Sequence, residues 1–152
     1  MDALRSEFLF EMRIEASPPV ATGPMPGGER RFVTVTSGRF EGPRLKGQVL
    51  SGGSDAIWAD TNGRMLLDVR LMLRTDDGAA IYMQYRGVRN GPAPVLQRLA
   101  AGERVDPSEY YFRTIIRFET GDARYDWLND LVAVGVGNRQ PSGPIYRVFA
   151  VL

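Results

Sequence analysis

No cysteine and no histidine occur among the 152 residues, and lysine occurs once, as Lys46. Without thiols there is no disulfide, no thiolate nucleophile and no sulfur-bound zinc. Without imidazole the commonest proton shuttle is missing, and with it the usual catalytic triads and imidazole metal sites. An excess of charge is lacking too: 19 basic residues face 18 acidic ones, for a net +1. That balance supplies no electrostatic ground for binding nucleic acid or an anionic membrane. The opening "MDALRSEFLFEMRIEA" holds no long apolar run, so it reads as neither signal peptide nor membrane span, and a cytoplasmic location is expected. No D-x-D-x-D-G loop is present; an all-oxygen calcium or magnesium site stays open, yet no metal or cofactor is expected.

What remains for chemistry is Asp, Glu, Tyr, Arg, Ser, Thr, Lys46 and the backbone. Arginine makes up 18 of the 19 basic residues. Codon bias is one reading of that skew; planar recognition of carboxylates or enolates by guanidinium is the other. The length fits one domain, residues 1–152, able to bury roughly two thirds of its extended surface without a metal or disulfide.

Two-residue alternation dominates. In "EFLFEMRIEA", Phe8, Phe10, Met12 and Ile14 point one way and Glu11, Arg13 and Glu15 the other, which defines a strand. "SPPVATGPMPGGE" has four prolines and three glycines and reads as a loop. "RRFVTVTSGRF" and "RLKGQVLSGG" follow as strands, and then three more run through "SDAIWADTNGRMLLDVRLMLRTDDGAAIYMQYRGV". Asn62–Gly63 and Asp76–Asp77–Gly78 mark the turns between those three. "PAPVLQRLAAGE" is a short helix, "DPSEYYFRTIIRFET" a long strand, "DARYDWLND" one or two helical turns, and "LVAVGVGNRQ" and "PIYRVFAVL" the last strands. The fold class is therefore all-β: a mostly antiparallel barrel of eight to ten strands with one or two short helices. A barrel is preferred over a sandwich because closure removes exposed edges. "GVGNRQPSG" lacks the phosphate-loop lysine and the G-x-G-x-x-G frame, and reads as a turn beside the penultimate strand.

The register of the "TDDG" hairpin follows from turn chemistry. A three-residue loop puts Asp76 and Asp77 in right-handed positions and Gly78 alone in the left-handed region. Asp68 then faces Arg86, Arg70 faces Gln84, and Met72 faces Tyr82. Leu67, Val69, Leu71 and Leu73 share one side with Ile81, Met83 and Tyr85. Asp68, Arg70 and Arg74 share the other with Tyr82, Gln84 and Arg86. A one-residue slip would bury Arg86 among leucines. The polar side is either solvated, with pairs worth about 0–1 kcal/mol, or it lines the lumen and orients a ligand.

"SEYYFRTIIRFETGDARYDWLND", residues 108 to 130, crowds aromatic and ionisable groups together. Along its strand, Tyr111, Arg113, Ile115, Arg117 and Glu119 share one face, and Tyr110, Phe112, Thr114, Ile116 and Phe118 the other, more apolar one. Trp127 is a stacking wall or a core anchor, and Asn129 a ligand contact or a turn cap.

Several segments resemble the family catalogued as domain of unknown function 3237. They are "LFEMRIEASPPVATG" (9–23), "GRFEGPRLKGQVLSGGSD" (38–55), "LRTDDGAAIYMQYRGVRNGP" (73–92), "LAAGERVDPSEYYFRTIIRFETG" (99–121) and "YDWLND" (125–130). The resemblance implies a small β-barrel related in shape to allene oxide cyclase and dirigent-type barrels, which hold a small organic molecule in the lumen; several act as cyclases or isomerases. In one respect the chain departs from the family pattern. Where "FRT-x-P-x-FET" is expected, Ile116 replaces the proline, which should relax the backbone between Arg113 and Glu119.

Asp68, Arg86, Asp55 and Tyr82 are the candidate catalytic residues: an acidic Asp, an anion-stabilising Arg and a positioning Tyr. Arg113, Trp127, Asn129 and Tyr110 are the candidate substrate-binding residues. Three functions compete. The first is a lyase, isomerase or cyclase acting without a cofactor on an apolar, oxygenated small molecule. The second is a non-catalytic carrier or sensor barrel, and the third a structural or assembly module. The expected partners are a small-molecule ligand and, through an apolar outer face, a second copy in a homo-oligomer.

Overall fold

The computed structural model describes residues 2–152. The described residues form ten strands: β1 (Ser6–Ala16), β2 (Val20–Ala21), β3 (Gly28–Glu41), β4 (Lys46–Val49), β5 (Ser54–Asp60), β6 (Met65–Thr75), β7 (Ala80–Asn90), β8 (Tyr111–Glu119), β9 (Ala133–Gln140) and β10 (Gly143–Val151). All pairings are antiparallel, and they close on themselves through β1–β10–β9–β8–β7–β6, then β5 and β3, and back to β1. The result is an eight-stranded closed barrel with two short additional strands, β2 and β4. β4 and β5 both lie between β3 and β6, one toward each end, and β2 pairs beside β3. Among the described residues no helix is long and apolar enough to cross a membrane.

Helix α1 (Ala93–Ala100) and a 3₁₀ turn (Pro107–Glu109) fill the β7–β8 connection. Proline in the first turn suits α1, because those N–H groups have no intrahelical partner. Leu96 of α1 rests against the turn after β5: a methyl placed on Gly63 would come within 3.0 Å of its Cδ1. A second 3₁₀ segment (Ala123–Asp130) links β8 to β9 at the opposite end of the barrel.

The β6–β7 hairpin has the expected register: Asp68 pairs with Arg86, Arg70 with Gln84 and Met72 with Tyr82. Gly78 sits at φ +97°, the left-handed conformation that the three-residue loop demands of it. The inner face carries Leu71, Leu73, Ile81 and Met83, each at most 1% exposed.

Two local expectations need correction, and one narrows. Phe8 does not share a face with Phe10: a bulge between them shifts the register, so Leu9 and Phe10 are both buried while Phe8 packs edge-on against Phe149. Residues 135–140 belong to the strand expected of "LVAVGVGNRQ", and the turn expected within 135–143 narrows to residues 141–142. The strand's glycines are required by packing. A Cβ on Gly137 would lie 2.5 Å from the Phe112 ring, and one on Gly135 would overlap the Thr114 hydroxyl. Ile116 leaves β8 regular, not relaxed. It pairs with Tyr85 and Ala133 and is 1% exposed, because an N–H restored where proline is expected permits an unbroken ladder.

Candidate functional site

Strand parity and burial together divide the lumen. Toward the Asp76–Gly78 turn, Phe10, Phe40, Leu73, Ile81 and Phe118 fill it completely. At the other end, inward positions keep contact with solvent: Arg31 and Val33 on β3, Asp55 and Ile57 on β5, Leu67 on β6 and Arg89 on β7. One end of the barrel is thus plugged, and the other is a mouth lined by both hydrocarbon and charge.

Asp55 is the carboxylate of this mouth. Its Oδ1 accepts the backbone N–H of Asp68 at 3.1 Å. Burial pushes its pKa up to about 6, against the pull of that hydrogen bond; the Asp68 charge adds to the rise, and Arg89 opposes it slightly. Beneath it, Tyr146 is the hub of an aromatic group. Its ring meets Tyr85 at 5.3 Å and 65°, and Phe112 at 5.4 Å and 81°. Both tyrosines are buried, and desolvation raises both phenols, so each hydroxyl stays protonated at neutral pH.

Arg89 stands opposite Met65 on one side and Phe112 on the other. Its Nη2 approaches the Met65 sulfur at 2.9 Å, and its Nε is buried with no hydrogen-bond partner. Burial lowers its pKa, and the like charge of Arg139 adds to that effect; Tyr146 and Tyr110 offset it, while Arg31 reinforces it. Arg31 is already paired with Glu29 at 2.7 Å. Tyr110 is buried, and its hydroxyl accepts the Arg139 backbone N–H at 2.7 Å, which ties the base of the 3₁₀ turn to β9.

Of the residues selected from the sequence, Asp55 and Tyr110 face the lumen. Asp68, Arg86, Tyr82 and Arg113 do not: their strands present the opposite parity inward, which leaves them on the outer wall. Asp68 and Arg86 stand 3.8 Å apart there, with side chains 39% and 79% exposed. With Arg113, Arg30, Trp58 and Tyr111 they border an open outer groove of about 880 Å³ floored by Leu66, Val88, Ile115 and Val134.

Trp127 and Asn129 lie at the plugged end. Trp127 packs against the core, with the Arg44 guanidinium 3.7 Å from its ring centroid. Asn129 is a turn cap, accepting from Thr120 N–H at 2.8 Å and donating to Thr120 O at 2.9 Å and Asp126 at 3.0 Å. These bonds consume the groups a ligand would need.

Tyr85, Tyr146, Arg89, Arg31 and Arg139 were not selected from the sequence, although a signal existed. Arg89 lies at i+4 from Tyr85, hence on the apolar phase of β7, and an arginine on that phase belongs inside. Among the described residues, no three carboxylates converge as a metal site.

A family model described as "Protein of unknown function (DUF3237)" matches residues 4–151. A UPF0311 protein of Clostridium acetobutylicum is 34% identical over 95% of this chain and 92% of its own. Two crystal structures share the barrel over the whole chain. A conserved protein of unknown function from Rhodopseudomonas palustris is 34% identical, with a TM-score of 0.96 and full coverage of both chains. A β-barrel-like protein from Acinetobacter baumannii is 38% identical, with a TM-score of 0.86, covering 98% of that chain. An enzyme from Penicillium herquei, 20% identical with a TM-score of 0.77 over 100% of this chain and 97% of its own, shares the fold.

Proposed function

The chain belongs to the DUF3237 family, and from that premise we propose that the open half of the lumen binds a small, apolar, oxygenated molecule and moves a proton on it, as an isomerase, cyclase or lyase. The reading rests foremost on one observation: Asp55 sits in the mouth with its pKa pushed up to about 6, beside two buried tyrosine hydroxyls and a guanidinium without a carboxylate partner. A carboxyl poised near neutrality exchanges a proton in either direction.

In the proposed step, the Asp55 carboxylate takes a proton from a carbon next to a carbonyl. The electron pair moves onto the carbonyl oxygen. Tyr85 or Tyr146 donates a hydrogen bond to that oxygen, and the positive charge of Arg89 elsewhere in the mouth favours its formation in a site of low dielectric. The neutral Asp55 carboxyl then returns the proton at another carbon, which gives double-bond isomerisation, or to a departing oxygen, which gives elimination. Hydrocarbon from Val33, Ile57 and Leu67 holds the rest of the molecule.

The test is proton exchange. A panel of cyclic ketones and enones, beginning with 1-tetralone, is incubated with the protein in deuterium oxide and followed by proton NMR. Exchange or rearrangement faster than in buffer, abolished in Asp55→Asn and unchanged in Arg86→Ala, is the expected result. If no member of the panel reacts faster than in buffer, or if Asp55→Asn is as active as the parent, the catalytic reading falls.

A further inference from the structure

Two buried side-chain polar atoms among the described residues lack a hydrogen-bond partner: Arg89 Nε and the Thr114 hydroxyl. Both face the lumen, on adjacent inward layers. Arg89 stands across from Phe112, and Thr114 across from Gly87 and Gly135. A Cβ on Gly87 would come within 2.6 Å of the Thr114 methyl, and one on Gly135 would overlap its hydroxyl. The two glycines therefore make the space that Thr114 occupies. The Arg89 guanidinium touches solvent and the Met65 sulfur, but its Nε–H is buried with no acceptor, and an unsatisfied buried donor on a charged group is costly.

The charges around Arg89 do not compensate it. Arg31 and Arg139 repel it, and the carboxylate nearest Arg31, Glu29, is held by Arg31 itself. Tyr110 has its hydroxyl engaged by Arg139 N–H. Asp55 is the other acid of the mouth, and its carboxylate accepts the Asp68 backbone N–H rather than pairing with an arginine. Three guanidiniums thus converge where one free acid and one paired acid are available. Anionic oxygen is what this arrangement lacks, and a guanidinium edge matches a planar carboxylate with two parallel N–H donors.

We propose that the lumen selects substrates bearing a carboxylate, seated on the Nε edge of Arg89 with the Thr114 hydroxyl as a further donor. This deepens the proton-transfer reading and rests on it for the word substrate; the anion seat itself stands on binding alone. The carboxylate fixes the molecule at one point and leaves its apolar body to lie along Val33, Ile57 and Leu67 toward Asp55.

Calorimetric titration compares benzoate, trans-cinnamate and 2-naphthoate with their primary amides, which match them in shape but carry no charge. At least one acid is expected to bind tenfold or more tightly than its amide. Arg89→Met is expected to abolish that preference and leave amide binding unchanged, whereas Arg86→Ala, on the outer wall, keeps it. Should Arg89→Met fail to fold, Thr114→Val takes its place, with a several-fold weakening of the acid alone expected. Equal binding of acid and amide, a preference that survives both variants, or no acid bound at millimolar concentration would overturn the anion seat. Asp55→Asn separates the two ideas. Retained acid preference with lost exchange supports both. Exchange in the parent protein without acid preference removes only the carboxylate seat, and acid preference without any exchange removes only the catalysis.

Discussion

Asp55 and Asp68 are joined by a 3.1 Å hydrogen bond, from the Asp68 backbone N–H to the Asp55 carboxylate, yet their side chains occupy opposite faces of the barrel wall. One acid is drawn into the mouth and raised toward neutrality, and the other stands in solvent beside Arg86. That asymmetry separates a group capable of proton exchange from one that is only a surface charge.

Stability should depend on Asp55 in a particular direction. Its folded pKa, about 6, lies above its ordinary value of 3.8. The folded state therefore holds the proton more tightly than the unfolded chain. Stability from this group is full below about pH 4, declines as pH rises toward 6, and is lost above that. The loss is on the order of 2–3 kcal/mol. Urea unfolding at pH 4.5 and 7.5 should show this decline in the parent protein and a flatter profile in Asp55→Asn.

Removing the Asp68–Arg86 pair should cost little. Both side chains are exposed and the nitrogen–oxygen distance is 3.8 Å. Asp68→Asn or Arg86→Ala should change the unfolding free energy by less than about 1 kcal/mol, with the difference shrinking in high salt. A cost of several kcal/mol in either variant would contradict the outer placement.

Gly137→Ala should destabilise the barrel by about 1–3 kcal/mol, since its methyl would meet the buried Phe112 ring at 2.5 Å. Phe112→Leu in the same chain should recover part of that loss, and the double-mutant cycle should show a coupling of at least ~0.5 kcal/mol.

Asn129→Ala should lower stability by about 1–3 kcal/mol by leaving Thr120 N–H and O without their partner. Ligand affinity in the lumen should not change, because Asn129 braces the plugged end. A thermal melt and a calorimetric titration on the one variant check both halves.

Much of this molecule was legible in its residues. The alternation of β6, β7 and β8 and the Asp–Asp–Gly turn set the hairpin register and grouped side chains by face, since period-two geometry leaves one choice once a turn is placed. Parity had already put Asp68 with Arg86 and Tyr110 with Thr114. It could not say which group turned inward, because a lone strand has two equivalent sides.

Closure of the sheet settled that. Curling eight strands into a cylinder gives the inner face less room, so glycines at 87, 135 and 137 and the hydrocarbon of β6 and β7 went inside and the long charged side chains of the other parity stayed out. Arg31, Asp55, Arg89 and Arg139 are exceptions. Each sits on an inward position by strand parity, but only the meeting of β3, β5, β7, β9 and β10 around one mouth brings Arg89 near Arg31 and Arg139, and Asp55 near Tyr146. Residues so far apart in the chain become neighbours through barrel geometry, and their electrostatics arise from shared burial that no local pattern encodes.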